Sequence, residues 1–167
     1  MKLIIHDFRG EDANIPELSA SENTRVISDN GKIKPCIGCF GCWLKTPGEC
    51  INKSDGYNNI GRLFGNCSEM LVISECRYGA YSPFVKNVFD RCIGCILPFF
   101  EIINGEMHHK KRYGNEIKIK IMLYGDITGE ERQTASNILR RNFVNLHVTN
   151  HEILFFKNKE DLKGALL

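Results

Sequence analysis

Ile117-Lys118-Ile119-Lys120-Ile121-Met122-Leu123-Tyr124 alternates apolar and charged residues for five positions and then runs apolar without a break. Alternation marks a strand with one face covered, and a continuous apolar run marks one covered on both. The segment therefore reads as a strand that enters a sheet at its margin and finishes in its centre. A strand buried on both faces needs helices above and below it, as in an α/β protein with a parallel sheet. Further strands are read at residues 2–6, 25–28, 70–74 and 151–156, with helical periodicities between them.

The helices carry their own start signals. Ser82-Pro83 offers an N-cap followed by proline at the first helical position, and Phe84, Val85, Val88, Phe89 and Cys92 then share one face. Thr128-Gly129-Glu130-Glu131 is a capping box, and Ala135, Ile138, Leu139 and Phe143 behind it form the core-facing stripe. A further helix is expected over residues 55–67 through Tyr57, Ile60, Leu63 and Phe64, and a short one after Asn158. Five strands with interleaved helices predict a three-layer, flavodoxin-like α/β fold with a five-stranded parallel sheet of order 2-1-3-4-5.

The chain has 167 residues, of which 43% are hydrophobic, 25% charged and 10% aromatic. That composition belongs to ordinary globular proteins and excludes disordered, collagen-like and coiled-coil classes. With no repeat or linker, residues 1–167 read as one domain. Twenty-two Lys and Arg against twenty Asp and Glu leave a formal charge of +2, which argues against a nucleic-acid partner. No apolar run reaches the eighteen or so residues of a membrane span, and Asp7 follows Met1 too closely for a signal peptide. A cytoplasmic protein with no membrane partner is expected. Eight cysteines, four of them within residues 36–50, point to metal or redox chemistry in a reducing compartment.

In a parallel sheet every loop leaving a strand's carboxyl end lies on one edge. Residues 36–50, 76–82 and 124–128 are thus expected to converge there. The first of these, Pro35-Cys36-Ile37-Gly38-Cys39-Phe40-Gly41-Cys42-Trp43-Leu44-Lys45-Thr46-Pro47-Gly48-Glu49-Cys50, contains C-x2-C-x2-C-x7-C. Such spacing lets Cys36, Cys39 and Cys42 turn toward one metal centre, with Cys50 returning to complete an iron-sulfur ligand set. Zinc more often uses two separated C-x2-C knuckles. The other reading is four free thiols packing as small hydrophobes.

This segment, together with Tyr78-Gly79-Ala80-Tyr81-Ser82-Pro83-Phe84-Val85-Lys86-Asn87-Val88-Phe89-Asp90-Arg91, resembles the NAD(P)H-dependent FMN reductase and iron-sulfur flavoprotein group of flavodoxin-like proteins. The likeness spans residues 35–95. It implies FMN as cofactor, with the Tyr/Gly turn after the third strand and the Asp-Arg-ended helix holding the flavin ring. It implies an iron-sulfur cluster on the cysteine loop, although many relatives keep similar cysteines without one. It also implies a Gly-Ser-Pro-Arg phosphate turn after the first strand, and this chain departs from it: His6-Asp7-Phe8-Arg9-Gly10-Glu11-Asp12 stands there instead. Residues 7–22 carry the acids Asp7, Glu11, Asp12, Glu17 and Glu22 against the single base Arg9, a balance that repels a dianionic phosphate.

Tyr78, Gly79, Tyr81 and Ser82, with Tyr124, Gly125 and Asp126 at the next strand's end, are the cofactor-binding candidates, since aromatic faces stack on an isoalloxazine ring and backbone amides reach its polar edge. The competing reading has these tyrosines closing the sheet edge or meeting a second subunit. Cys92-Ile93-Gly94-Cys95 reads as structural thiols continuing a helix. The segment 105–120, with five bases against two acids around His108-His109-Lys110-Lys111-Arg112, reads as a solvated loop, the alternative being contact with dinucleotide phosphates. The functional expectation is an FMN-dependent oxidoreductase passing electrons from NAD(P)H to a flavin, quinone or protein acceptor. The alternative is a binding or electron-carrier protein with a degenerate FMN site, acting through its cysteine loop or its assembly. Trp43 between Phe40 and Leu44 would make a large apolar patch on a monomer, so a homodimer or homotetramer is expected.

Overall fold

The computed structural model describes residues 1–13, 18, 21–148 and 150–166; Glu17, one of the acids after the first strand, lies outside them. The strands among the described residues are β1 (Lys2–His6), β2 (Thr24–Ser28), β3 (Glu69–Glu75), β4 (Ile96–Ile103), β5 (Glu106–Lys111), β6 (Lys118–Tyr124) and β7 (Asn150–Phe156). Five of them form one parallel sheet of order β2-β1-β3-β6-β7, and β4 pairs with β5 as a separate antiparallel hairpin. The observed order therefore departs from the expected 2-1-3-4-5 by the two hairpin strands, which fall between the third and fourth strands of the sheet. Ile121 of β6 stands opposite Val72 of β3 and Ile153 of β7, so the strand read at residues 117–124 lies between two partners.

The hairpin overturns the expected basic loop over 105–120. Ile103 pairs with Glu106, and the two residues between them, Asn104 and Gly105, have φ of 51° and 83°. Both central residues of a type I′ turn need positive φ, and Asn-Gly is the pair that adopts it most readily. His108 and His109 thus sit on opposite faces of a strand.

One face of the sheet is covered by α2 (Ile60–Asn66), α3 (Pro83–Arg91) and α4 (Gly129–Asn145). Ile60, Phe64, Val85, Val88, Leu139 and Phe143 pack there with Leu3, Ile5, Val72, Ile121 and Leu123 of the strands. Fully burying one such side chain contributes roughly 1.5–3 kcal/mol. The Ser82 hydroxyl accepts the Val85 N–H at 3.5 Å, and Thr128 and Glu131 cap each other's backbone N–H groups, as their sequence signals require. Ile138 is 39% exposed, at the margin of the α4 stripe rather than within it. The helix expected over 55–67 is shortened to α2, because Gly56 has φ +80° and the Asp55 carboxylate accepts the Tyr57 N–H in a local turn.

The described residues cover the other face with shorter elements. Ile4, Leu71, Ile73 and Met122 meet Phe8 and Leu18, and Leu162 of the 3-10 turn Glu160–Leu162, with α5 (Lys163–Leu166) following; a further 3-10 turn, Gly10–Ala13, comes after Phe8. No described helix is long and apolar enough to cross a membrane.

Candidate functional site

The turns at the carboxyl edge of the sheet are tied together by Asp7. Its Oδ2 accepts the Glu75 N–H at 2.7 Å and its Oδ1 accepts the Tyr124 hydroxyl at 3.0 Å. Burial raises the Asp7 carboxyl above its ordinary range, against the pull of hydrogen bonds from Ser82, Glu75 and Tyr124. Burial and then the Asp7 charge push the Tyr124 hydroxyl up as well, so it stays a donor. Arg9, the one base on the turn after β1, is committed elsewhere: its guanidinium binds Asp29 at 2.6 and 2.8 Å.

The turn after β3 is closed by reciprocal backbone hydrogen bonds between Arg77 and Ala80, both 2.9 Å. Tyr78 and Gly79 stand between them with φ of 54° and 71°. A Cβ on Gly79 would lie 2.8 Å from Thr134 Cβ of α4, so the turn is pressed against that helix and Tyr78 is thrown outward, 91% exposed. Gly125 donates to the Phe156 carbonyl at 3.1 Å, Tyr124 accepts from the Cys76 N–H, and Asp126 is exposed beside them. Ser82 is buried as the α3 cap. Tyr81 is a core ring, 4% exposed and stacked on Phe89 with centroids 4.7 Å apart, and its hydroxyl finds no partner among the described residues. Of the two tyrosines expected to offer faces at this edge, only Tyr78 does so here.

The cysteine segment does not join this edge. It packs on the carboxyl end of α3, which is nine residues long, and so lies about 13 Å along that helix from the Ser82 cap. After Phe40, at φ +54°, the short helix α1 (Gly41–Leu44) presents Trp43, whose Nε1 donates to the Ile93 carbonyl at 2.8 Å. Trp43 stacks on Phe40 and meets His109 of the hairpin, which in turn meets Phe100, with successive centroids 5.1, 4.9 and 4.6 Å apart. Residues 36–50 leave β2 at the edge but are drawn down by these contacts, which explains the failed convergence.

Cys36, Cys39, Cys42 and Cys50 all line one cavity of about 40 Å³, together with Arg91 and Ile93. Burial, with the nearby Cys36 and Cys50 adding to it, pushes the Cys42 thiol up to about 11. Among the described residues no three His, Cys, Asp or Glu side chains are drawn together as a site for a metal ion. Arg91 is the residue that sequence reasoning misplaced. Instead of reaching a flavin from the helix end, it is 3% exposed beneath the cysteines and pairs with Asp55, while Asp90 pairs with Lys86. Asp55 itself was missed, its only sequence signal being an acid before glycine. Next to this cavity the 3-10 turn Cys92–Cys95 eclipses its two thiols. A hydrogen bond to Cys95, then burial, raises the Cys92 thiol.

The basic run is largely engaged by the backbone. Arg112 Nε donates to the Gly94 carbonyl at 2.8 Å and Lys111 Nζ to that of Asn115 at 3.1 Å, leaving Lys110 exposed. His108 bonds Asn145 and Glu106, whereas His109 Nδ1 donates to the Leu97 carbonyl.

The chain matches no protein-family model, and no curated protein matches it in sequence. Solved structures resemble it in fold. The azoreductase AzrA and an azoreductase from Bacillus anthracis str. Sterne each align at TM-score 0.58 and 8% identity, over 99% of this chain and 90% of theirs. An FMN-dependent NADH-azoreductase from Bacillus anthracis str. Ames Ancestor, in complex with FMN, aligns at TM-score 0.55 and 13% identity, over 99% of this chain and 93% of that one. At such identities the likeness is one of architecture, a helix-covered parallel sheet of the flavodoxin kind.

Proposed function

We propose that the chain is a flavin-dependent oxidoreductase that draws electrons from NADH or NADPH and delivers them to a flavin, a quinone or a protein acceptor. The observation that carries this reading is Tyr78, a freely exposed aromatic on a tight turn at the carboxyl edge of β3, where open α/β sheets bind their ligands. The fold is shared with a protein described as an FMN-dependent NADH-azoreductase, which supports the same class of chemistry. The ring half of FMN fits this edge, with Tyr78 as a stacking face and Gly79, Gly125 and Asp126 beside it. The phosphate half does not fit the turn after β1, where Asp7 already accepts the Glu75 N–H and Tyr124 hydroxyl and Arg9 is paired with Asp29. Bound flavin would take a hydride from the nicotinamide and pass the electrons on. The chain's own part is to position the ring, and no protein acid or base is assigned.

A second reading rests on the four cysteines around one cavity. They are all-sulfur donors above a buried guanidinium, the ligand chemistry an iron-sulfur cluster takes, although the cavity of about 40 Å³ and the separation of the thiols do not fit a cluster as they stand. On this reading the chain carries electrons through that segment, with or without flavin. The exposed apolar residues Ile37, Phe40 and Leu44, with Phe99, Phe100, Ile102 and Met107 of the hairpin, favour a homodimer or homotetramer. The visible spectrum of protein purified without air tests both readings. Flavin bands support the first, broad iron-sulfur absorption supports the second, and a colourless protein that takes up neither flavin nor iron overturns both.

A further inference from the structure

We infer that Cys92 and Cys95 are a redox-active dithiol, which closes to a disulfide by exchange with a small-molecule disulfide. Neither the flavin reading nor the cluster reading above uses these two thiols. The sequence suggests structural thiols on a continuing helix, but α3 ends at Arg91 and tightens into the 3-10 turn Cys92–Cys95. The Cys92 N–H donates to the Phe89 carbonyl and the Ile96 N–H to that of Ile93, each reaching three residues back. In such a turn side chains three residues apart eclipse, and a rise of about 2 Å per residue puts their Cα atoms about 6 Å apart. Disulfides bridge Cα separations of about 4.4–6.8 Å. The pair is therefore placed to close without unwinding the turn.

The turn is also fixed from outside. Trp43 Nε1 holds the Ile93 carbonyl at 2.8 Å, Arg112 Nε holds that of Gly94 at 2.8 Å, and the Arg112 N–H holds that of Cys95 at 3.1 Å. Between the thiols, a Cβ on Gly94 would lie 3.0 Å from the Gly48 carbonyl carbon, so the turn is pressed against that segment. The thiols differ in access: Cys95 is half-buried, whereas Cys92 is 2% exposed. Cys95 therefore meets the reagent. Its thiolate attacks one sulfur of the small disulfide, expels one small thiol and leaves a mixed disulfide; Cys92 then loses its proton and attacks the Cys95 sulfur, expelling the second small thiol. The dithiol gives up two electrons and two protons, and the small disulfide is reduced to two thiols.

The test is equilibration of the full chain with mixtures of reduced and oxidised glutathione, followed by acid quenching, alkylation in denaturant and mass mapping after trypsin. Cleavage after Arg91 and Lys110 releases residues 92–110, which hold Cys92 and Cys95 and no other cysteine. In the parent that peptide should become lighter by two hydrogen atoms and lose both alkylation sites. Cys92→Ala should stop at the mixed disulfide, with glutathione left on Cys95, and Cys95→Ser should leave Cys92 open to alkylation. The parent alone gives the decisive mass, so a variant that folds poorly does not block the measurement. A peptide 92–110 that keeps both alkyl groups at every glutathione ratio overturns the inference. So does one that retains glutathione on Cys95 in the parent, or one joined to residues 63–77, which carry Cys67 and Cys76.

Discussion

The hydroxyl of Tyr124, at the end of β6, donates to the carboxylate of Asp7, at the end of β1, across 3.0 Å. β3 lies between these two strands and adds its Glu75 N–H to the same carboxylate. Three strand ends are thus locked around a carboxyl group that belongs to the protein itself, in the place where the resemblance implies a phosphate.

From this follows the ligand preference. Charge-assisted hydrogen bonds to a phosphate contribute roughly 1.5–3 kcal/mol each, but here the donors already face Asp7. FMN should bind better than riboflavin by less than about a hundredfold, or roughly 2.8 kcal/mol. Titration calorimetry with the two ligands decides it, and a preference well beyond that factor would mean that a phosphate site exists elsewhere on the protein.

The two tyrosines near the β3 turn should respond differently to truncation. Tyr78→Ala removes an exposed stacking face and should weaken flavin binding by about 1 kcal/mol, with the unfolding midpoint unchanged. Tyr81→Ala empties a core position stacked on Phe89 and should cost about 3–5 kcal/mol of stability. Flavin titration alongside urea unfolding separates the two, and an unaltered affinity in Tyr78→Ala refutes the placement of the ring.

For the cysteine cavity, anaerobic reconstitution should load about four iron and four sulfide per chain if Cys36, Cys39, Cys42 and Cys50 act together. Cys50→Ser should lower that loading. A serine variant that keeps the full complement excludes this ligand set.

The Asp55–Arg91 pair should give the fold an acid-sensitive contribution. Burial alone would raise the Asp55 carboxyl, but hydrogen bonds from Arg91 and the Lys34 and Tyr57 N–H groups outweigh it and hold it below its ordinary range. The unfolded chain therefore takes up this proton more readily than the folded one. The stabilisation is complete above the unfolded value near 4 and is lost as pH falls through the lower folded value. Asp55→Asn leaves the buried guanidinium without its counter-charge and should cost about 3–5 kcal/mol at neutral pH. Urea midpoints measured from pH 7 to pH 3 should fall less steeply in this variant than in the parent, and parallel curves would contradict the assignment.

Much of this was legible from local pattern. The run Ile117 to Tyr124 identifies a covered strand, Ser82-Pro83 starts α3, and Thr128 with Glu131 starts α4, because each signal operates within one turn of helix or a few residues of strand. The hairpin was legible too, in Asn104-Gly105 between apolar and polar runs, though the neighbouring charges of 108–112 suggest a loop when weighed by composition alone.

What the amino-acid sequence determined by itself was the set of elements and their caps, since these depend on contacts three or four residues apart. What only the tertiary structure decided was which way each chemically able side chain faces. Tyr78 and Tyr81 are three residues apart in one turn, yet positive φ sends the first into solvent while Phe89 holds the second in the core. Arg91 turns from the sheet edge to the cysteines because Asp55, thirty-six residues earlier, is brought beneath it when the segment after β2 folds down over α3. Pairings at that separation arise only when strands and helices pack, and no spacing rule within the sequence encodes them.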